Sequence, residues 1–400
     1  MDIDLYSAAS FASGHPFDQY AWLREHAPCY RHPLPDGGSF WAVTRFDDVN
    51  RIGRETDTFS SEPTVMIDDP TGALSSDSSD KMMLMMDPPE HTAFRRLISR
   101  AFLPARGEAM RARIAGLARQ IVDEVVERGE CDFVQDIAGE MPSYVIAEML
   151  GLPLDDGRKL YELTEVIHTA PEALAEGALE HAVIGMWSYA SELMQARLAK
   201  PTDDLASELV HAEVDGRRLT EREFQLFFQL LIDAGGDTTR NLVASGMLEL
   251  LARPDLMSSL RGASAEQIGL ARDELLRFTS PVIYFRRTVL NDTEIAGQPV
   301  AAGDRVAIYY GAANRDPRAF DKPDELDVTR RNNKHLAFGS GAHLCLGQHI
   351  ARIEIDELLR EVLDRIEDLE LVETPTWLPS NFISGPMRMP VRFKPSTRVA

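Results

Sequence analysis

The sequence predicts a mainly helical protein with a minor strand-rich region, and three observations support this prediction. Apolar residues recur at helical spacing through Ala105–Gly129 and again through Ile355–Ile366. Thr220 and Glu223 form the pattern of a capping box, and a stripe of phenylalanine and aliphatic residues follows them. Between about Pro281 and Tyr310 the pattern changes, and the stretch DRVAIYYG alternates in the way that is typical of a short strand.

The chain is expected to form one domain. It has 400 residues, of which 44% are hydrophobic, and this composition can supply a large core. The sequence contains no internal repeat and no long linker. We therefore predict a single domain over residues 1–400, in which roughly the first 16 residues, MDIDLYSAASFASGHP, form an extended arm. The serine-rich patch Ser75–Asp80 indicates a loop before the methionine-rich run Met82–Met86.

The charge and the cysteines limit the possible partners and the location. Asp and Glu outnumber Lys and Arg by 64 to 42, which gives a formal net charge of −22. So acidic a protein is a poor partner for nucleic acid or an anionic membrane. Cys29, Cys131 and Cys345 have neither zinc nor disulfide-framework spacing, and no apolar run is long enough to span a membrane. We expect a cytoplasmic protein without a membrane anchor.

Cys345 lies in a glycine-rich stretch, FGSGAHLCLGQHIAR, that runs from Phe338 to Arg352. A single cysteine is most often a buried structural residue. Here the surrounding glycines permit tight turns and close approach to a flat ligand, and a helical pattern follows from about Leu346. Because a helix start stabilises a thiolate and lowers its pKa, the pattern indicates a metal ligand or a nucleophile. A nucleophile needs a base, and His343, two residues away, need not face the sulfur.

The pattern F-G-x-G-x-H-x-C-x-G, followed by Ala351–Arg352, resembles the haem-binding loop of cytochrome P450. The similarity to that family extends over roughly Phe17–Lys394. It implies a triangular, mainly helical domain with small β-sheets and a buried haem b. It also implies that Cys345 is the metal ligand, on the axial position of the haem iron. The other residues that the resemblance assigns to the cofactor are His91, Arg95, Arg287 (with Arg286 as an alternative), His343, Phe338, Gly339 and Gly347.

Two further segments resemble the same family. The tetrapeptide ELLR places Glu274 and Arg277 on one helix face, and the resemblance ties them to an arginine such as Arg330. The segment MDPPEHTAFRR places His91 and Arg95 one helical turn apart, which suits a haem propionate. Each motif has an ordinary alternative, a surface ion pair for the first and a solvated basic face for the second.

The segment IDAGGDTTRN lies within a long helical pattern although it contains two adjacent glycines. Each glycine costs a helix about 0.5–1 kcal/mol relative to alanine, so either a ligand or a crossing helix must approach the backbone here. In the P450 family this helix passes over the haem, and Ala234 and Gly235 occupy the positions that leave room for dioxygen. Asp237 and Thr238 match the family's acid–alcohol pair, which implies that they deliver protons during the reduction of dioxygen.

The resemblance also predicts a substrate pocket, with Met82–Met86 and the preceding loop as a lid. Asp233 is unusual, because family members mostly have an apolar residue at this position and an unpaired buried carboxylate is costly. Asp233 either turns to a polar partner or contacts a polar or cationic group of the substrate. The predicted pocket residues are Leu230, Asp233, Ala234, Ile283, Tyr284, Phe382 and Ile383.

The resemblance implies a haem-dependent monooxygenase that uses O2 to hydroxylate a hydrophobic small molecule similar to a steroid, a terpenoid or a fatty acid. The chain has no flavin-binding motif and no ferredoxin cysteine run, so an external ferredoxin and its reductase are the expected electron donors. Within the family, the alternative is oxidative coupling or another oxidation of a more polar natural product, with Asp233 on the substrate. A haem sensor or store without turnover is the alternative from another class, and the pair Asp237 and Thr238 argues against it.

Overall fold

Helices form most of the structure, as the sequence pattern predicts. The computed structural model describes residues 1–68, 81–169, 173–214 and 216–398. The serine-rich patch Ser75–Asp80 lies outside the described residues. The α-helices are α1 (Phe17–His26), α2 (Phe46–Ile52), α3 (Glu90–Ser99), α4 (Pro104–Val125), α5 (Glu140–Leu150), α6 (Leu154–His168), α7 (Ala178–Ala199), α8 (Leu205–His211), α9 (Glu221–Leu251), α10 (Pro254–Ser259), α11 (Ala265–Thr279), α12 (Tyr310–Ala313) and α13 (Gln348–Arg365).

The strands are short and form small sheets. One sheet has the strand order β1-β2-β10-β7-β3, in which only the β2–β10 pair is parallel. A second sheet has the order β11-β14-β4. The strands are β1 (Cys29–Pro33), β2 (Ser39–Val43), β3 (Phe59–Ser60), β4 (Glu130–Asp132), β5 (Glu213–Val214), β6 (Arg217–Arg218), β7 (Tyr284–Val289), β8 (Thr293–Ile295), β9 (Gln298–Val300), β10 (Arg305–Tyr309), β11 (Glu367–Leu371), β12 (Thr376–Trp377), β13 (Pro386–Arg388) and β14 (Pro390–Lys394).

The strand-rich region predicted between Pro281 and Tyr310 is confirmed, because β7, β8, β9 and β10 all lie within it. The N-terminal strands β1 and β2 were not predicted. Their position depends on the parallel pairing of β2 with β10, a segment more than 250 residues away in the chain, which no local pattern signals.

The first residues of the chain pack against the rest of the protein. Leu5 and Phe11 are buried, and a 3₁₀ turn runs over Ala8–Phe11. The Leu5 N–H donates a hydrogen bond to His32 Nε2 of β1 at 3.0 Å. The main apolar core accordingly contains buried residues from Ile3 to Phe393. None of the helices in the described ranges is both long enough and apolar enough to cross a membrane.

Helix α9 runs through the middle of the helical layers. It begins with the predicted capping box, in which Thr220 Oγ1 accepts from the Glu223 N–H at 3.1 Å and Glu223 Oε2 accepts from the Thr220 N–H at 2.7 Å. Helices α5, α6, α7, α11 and α13 all pack against it. The segment Ile232–Asn241 therefore lies inside the protein, with different neighbours on its different faces.

A buried ion-pair network holds the chain segment that leads to the Cys345 loop. Arg277 donates two hydrogen bonds to the Glu274 carboxylate, at 2.7 and 2.8 Å, and both side chains are fully buried. Arg330 and Asn333, which precede the loop, also donate to Glu274, at 3.0 and 2.9 Å. The predicted contact with Arg330 is confirmed, and the alternative of a surface ion pair is wrong.

Removal of Arg277 should destabilise the protein strongly. Arg277→Ala leaves the Glu274 carboxylate buried with fewer positive partners, and breaking a buried pair costs about 3–5 kcal/mol. Urea unfolding gives the loss directly. The control is Arg331→Ala, since Arg331 pairs with Glu266 at 3.1 Å while their side chains are 73% and 68% exposed. The control should lose less than about 1 kcal/mol; equal losses in both variants would contradict the structural role of the network.

Candidate active site

The backbone of the Cys345 loop is shaped by glycine at two positions. Gly339 and Gly341 have φ values of +72° and +71°, in the left-handed region that side chains disfavour. A Cβ on Gly341 would in addition overlap the carbonyl oxygen of Gly53, at the end of α2. The Cys345 N–H donates to the Phe338 carbonyl at 2.9 Å, and α13 begins three residues later at Gln348. These contacts hold the sulfur just before the start of α13.

Burial raises the pKa of the Cys345 thiol, against the opposing influence of the Gly347 and Gln348 N–H groups and of Arg95 and Arg352. The expectation from the sequence, a lowered pKa, is therefore wrong for Cys345 without a bound metal. Desolvation raises the pKa of the thiol more than the N–H groups at the start of α13 lower it. A cation bound to the sulfur would supply the missing stabilisation of the thiolate.

His343 is not placed to act as the general base that a nucleophilic Cys345 would need. His343 Nε2 lies 3.1 Å from Ser61 Oγ, and burial together with the nearby Arg287 holds the pKa of His343 well below its usual range. Within the described part of the chain, no hydrogen bond joins His343 to the sulfur of Cys345. The arrangement favours a metal ligand.

A cavity lies between the Cys345 loop and α9. Its empty volume is about 1470 Å³, part of which is open to solvent, and its walls are largely apolar. Cys345, Phe338, Gly339, Gly347 and His343 form part of its floor. From the side of α9 and its neighbours, the lining residues include Leu230, Leu231, Ala234, Gly235, Thr238, Val145, Ile146 and Met149.

Basic side chains gather at one edge of this cavity. His91 and Arg95 of α3 line it, and the rings of His91 and His343 lie 4.1 Å apart. Arg95 donates to the Leu344 carbonyl at 2.6 Å. Arg287 is buried, and its charge helps to lower the pKa of both His91, to about 4, and His343, although burial is the larger cause. In the described ranges, no carboxylate pairs with Arg95 or Arg287, so this edge suits an anionic group.

Of the two adjacent arginines, Arg287 is the one directed to this edge. Arg286 instead donates to Thr288 Oγ1 at 3.2 Å and to the Met66 carbonyl at 3.4 Å. Arg287 donates only to the Arg286 carbonyl, at 2.8 Å, among the hydrogen bonds of the described residues. Arg287 is therefore the better candidate for a propionate.

These residues fit an iron porphyrin. Among the described residues, no group of three or more His, Cys, Asp or Glu side chains could hold a metal ion. A metal on Cys345 must take its other ligands from a cofactor. A macrocycle does this, and the apolar cavity and the basic edge match its flat ring and its two carboxylates.

The comparisons with known proteins decide the family. A family model described as Cytochrome P450 matches residues 186–378. The chain is 34% identical over 394 residues to a steroid C26-monooxygenase of Rhodococcus jostii, which covers 96% of this chain and 83% of that protein. The chain belongs to the cytochrome P450 family. This P450 is therefore a monooxygenase that uses a haem iron with a thiolate ligand.

Other relatives agree with this assignment. A methyl-branched lipid omega-hydroxylase of Mycobacterium tuberculosis is 36% identical to the P450 over 385 residues, which is 93% of this chain and 90% of the relative. The solved structure of a Mycobacterium marinum cytochrome P450 in complex with pseudoionone matches with a TM-score of 0.92 and 34% identity, and covers 98% of this chain and 99% of that one. The fold predicted from the sequence is thereby confirmed.

The two glycines of α9 have different neighbours. Gly235 lines the cavity together with Ala234 and Thr238. A Cβ on Gly236 would lie only 3.1 Å from the ring of Tyr161 on α6, so Gly236 permits the close crossing of two helices. Gly236 fits the interpretation of a helix crossing, and the position of Gly235 on the cavity fits the interpretation of an approaching ligand.

The acid and the alcohol of the predicted pair face in different directions. Thr238 lines the cavity, and its hydroxyl donates to the Ala234 carbonyl at 3.0 Å. Asp237 is fully buried and does not line the cavity. It contacts His168 Nδ1 at the end of α6, and its Oδ1 lies 3.2 Å from Arg240. His168 is not predicted from the sequence, because its proximity to Asp237 arises only when α6 packs on α9.

The structure places only part of the predicted substrate pocket in the cavity wall. Leu230 and Ala234 line the cavity, whereas the other five predicted residues do not. Val282 and Phe285 take their place in the wall. The hydroxyl of Tyr284 accepts from the Ile67 N–H at 3.0 Å, and the rings of Tyr284 and Phe382 are 5.5 Å apart, so these side chains form a layer behind the wall. The residues excluded from the lining are Asp233, Ile283, Tyr284, Phe382 and Ile383.

Asp233 turns away from the cavity toward polar partners. Thr164 of α6 donates to its carboxylate at 3.4 Å, and burial raises the pKa of Asp233 to about 6 against the opposing influence of His168 and Gln229. The first interpretation of Asp233, a polar partner within the protein, is confirmed. The orientation disfavours the second interpretation, contact with the substrate, because the side chain lies on the α6 side of α9.

Part of the segment that is predicted to form a lid borders the cavity. Met83 and Leu84 line the cavity, and Met82, Met85 and Met86 are buried. The loop that precedes them lies outside the described residues, so the lid can be followed only along the methionine-rich run.

Loss of Arg95 should weaken the binding of haem. A charge-assisted hydrogen bond contributes about 1.5–3 kcal/mol, so Arg95→Leu is expected to lower haem affinity roughly tenfold or more. The measurement is the rate of haem transfer to excess apomyoglobin, followed by absorbance. Arg96→Leu is the matched control, because Arg96 is exposed on the same helix. Equal haem loss from both variants would argue against Arg95 as a cofactor contact.

Proposed function

We propose that this P450 binds haem b through Cys345 and hydroxylates a neutral, hydrophobic small molecule of the steroid, terpenoid or fatty-acid type. One observation carries the proposal: the cavity wall beyond the haem-binding residues is apolar, and Asp233 is turned out of it. The names of the relatives, a steroid C26-monooxygenase and a methyl-branched lipid omega-hydroxylase, support the same substrate class. Such a wall selects its substrate by shape and by the exclusion of water.

Among its described lining residues, the cavity offers a cationic substrate no carboxylate that is charged at neutral pH. Glu354 of α13 is the one carboxyl group among the described lining residues. Burial raises its pKa to about 8, against the effect of its hydrogen bond with Thr239, so the group is mainly neutral at pH 7. An amine entering the cavity would lose its hydration without gaining a counter-ion, which is costly. A neutral substrate avoids this cost.

The residues of α9 suit the handling of protons. When haem is bound, its iron supplies the activation of dioxygen and the oxidation of a C–H bond. Because the Thr238 hydroxyl donates to the Ala234 carbonyl, its lone pairs are free to accept a hydrogen bond within the cavity. Asp237, adjacent in sequence, carries a carboxylate that can bring protons toward Thr238. The small side chains of Ala234 and Gly235 leave space between helix and cofactor.

We further propose that electrons come from an external ferredoxin and its reductase, in the cytoplasm. The sequence has no flavin or iron–sulfur motif of its own. The cysteines Cys29, Cys131 and Cys345 are all free thiols, which fits a reducing compartment.

Optical titration of the ferric protein tests the substrate class. Neutral steroids, terpenoids and fatty-acid esters should shift the haem from low to high spin in a saturable way, because an apolar ligand displaces water from the cavity. Amine-bearing analogues of equal size should bind at least about tenfold more weakly, since each carries an unpaired charge. Asp233→Asn should leave both results unchanged.

The same compounds are then incubated with O2, NADH, a ferredoxin and its reductase, and the products are analysed by mass spectrometry. A product 16 Da heavier, dependent on the ferredoxin, is expected for a hydroxylation that adds one oxygen atom. A spin shift only with amines, lost in Asp233→Asn, would refute the neutral-substrate proposal.

Replacement of Thr238 should uncouple electron use from product formation. Thr238→Ala removes the cavity-facing hydroxyl, so product formation should fall about tenfold or more while NADH consumption continues and peroxide accumulates. Ser245→Ala is the control, because Ser245 lies further along α9 and does not line the cavity. An unchanged ratio of product to NADH in Thr238→Ala would remove Thr238 from the proposed role.

A further inference from the structure

Asp237 has no direct contact with solvent. Its side chain is 0% exposed, and it is absent from the cavity lining. A buried carboxylate can deliver protons repeatedly only if a neighbour recharges it. Among the described residues its charged contacts are His168 and Arg240. Arg240 is also 0% exposed, and a guanidinium does not give up its proton in proteins. His168 is therefore the neighbour to consider.

His168 is partly exposed to solvent and also contacts the buried Asp237. It is the last residue of α6, and its side chain is 13% exposed. Its Nδ1 contacts Asp237 Oδ2, and its ring lies 6.4 Å from that of Phe382. The close crossing of α6 and α9 at Gly236 brings the two side chains together. Of the two charged partners of Asp237, only His168 combines a titratable proton with access to water.

The carboxylates around His168 favour its charged form. Burial lowers its pKa, but Asp237 and Asp233 of α9 outweigh burial and raise the pKa above its usual value. Glu165, one turn earlier on α6, binds Arg240, and burial and Asp237 raise the pKa of Glu165 to about 7. Thr164 of α6 is directed to Asp233. Histidine is suited to carry protons because its ordinary pKa lies close to neutral pH.

We propose that His168 is the entry point through which protons from solvent reach Asp237. The inference rests on the proposed function, since it concerns the same proton delivery. In the step, the Nδ1–H bond of the His168 imidazolium breaks and the proton binds to Asp237 Oδ2. The neutral carboxyl then turns toward Thr238, whose hydroxyl oxygen takes this proton as the hydroxyl passes its own proton into the cavity. The neutral His168 imidazole takes a new proton from hydronium in the solvent. No electrons move, and charge balances at each transfer. His168 acts on the reaction only through Asp237.

The test is His168→Gln in the haem-loaded protein. Glutamine can still donate a hydrogen bond to Asp237 but cannot carry a proton. The thiolate spectrum and the substrate-induced spin shift should be retained, while the rate of product formation falls about tenfold or more. The solvent deuterium isotope effect on that rate should increase. His181→Gln is the matched control, because His181 is an exposed helical histidine that contacts the Gly177 carbonyl.

The pH profile separates a proton carrier from a structural contact. A raised pKa means that His168 is charged at lower pH and loses its proton as the pH rises through that pKa. The wild-type rate should therefore fall over that range, and the fall should be absent in His168→Gln. Wild-type rate and pH profile in His168→Gln would overturn the proposal, and so would a faster rate.

An independent readout does not need turnover. In protein with isotopically labelled histidine, the NMR signal that is missing in His168→Gln belongs to His168. Its pKa should lie above 6.5, the ordinary value for histidine, and should drop in Asp237→Asn. A His168 that titrates at or below 6.5 would contradict the inference. Failure of the wild type to oxidise any compound would instead count against the proposed function, and the titration would still test the contact between His168 and Asp237.

Discussion

The burial of one sulfur atom is the constraint on which the rest of the site depends. Cys345 must lie beneath the surface to face a water-poor cavity, yet burial raises the pKa of its thiol and opposes the thiolate. N–H groups at the start of α13 and the side chains of Arg95 and Arg352 favour the thiolate, and a bound metal ion would complete its stabilisation. The loop glycines help to meet the same constraint, because they let the loop pack closely enough to bury the sulfur. No side chain fits at Gly341, which lies against Gly53.

The hydrogen-bond network around Glu274 helps to place the Cys345 loop. Glu274 and Arg277 are fully buried on α11, while Arg330 and Asn333 come from the irregular segment that leads into the loop. A segment without regular structure has few backbone hydrogen bonds to fix its course. Charged side chains that converge on one buried carboxylate give it a defined path, and the path sets where Cys345 lies under α9.

Helix α9 has uncharged side chains on the face toward the cavity and charged side chains on the face toward α6. Ala234 and Thr238 are four residues apart and face the cavity. Asp233 and Asp237 are also four residues apart, each one position before a cavity-facing residue, and Arg240 follows Asp237 by three. These three side chains face α6, where they meet Thr164, Glu165 and His168. The apolar cavity and the buried charges can therefore lie within one turn of each other. This separation explains why an acidic residue beside the substrate position leaves the pocket apolar.

The sequence alone determined the family, the candidate metal ligand Cys345, the Glu274 pair and the cavity-facing residues of α9, because these are local. A glycine pattern, a cysteine and residues four apart on one helix have the same geometry in any context. It did not determine the protonation of Cys345, the partner of Asp237 or most of the pocket wall. Desolvation depends on every neighbouring atom, and His168 meets Asp237 only across the α6–α9 crossing. Likewise, Val282 and Phe285 replace Ile283 and Tyr284 in the wall because pairing with distant segments decides which side chains face inward.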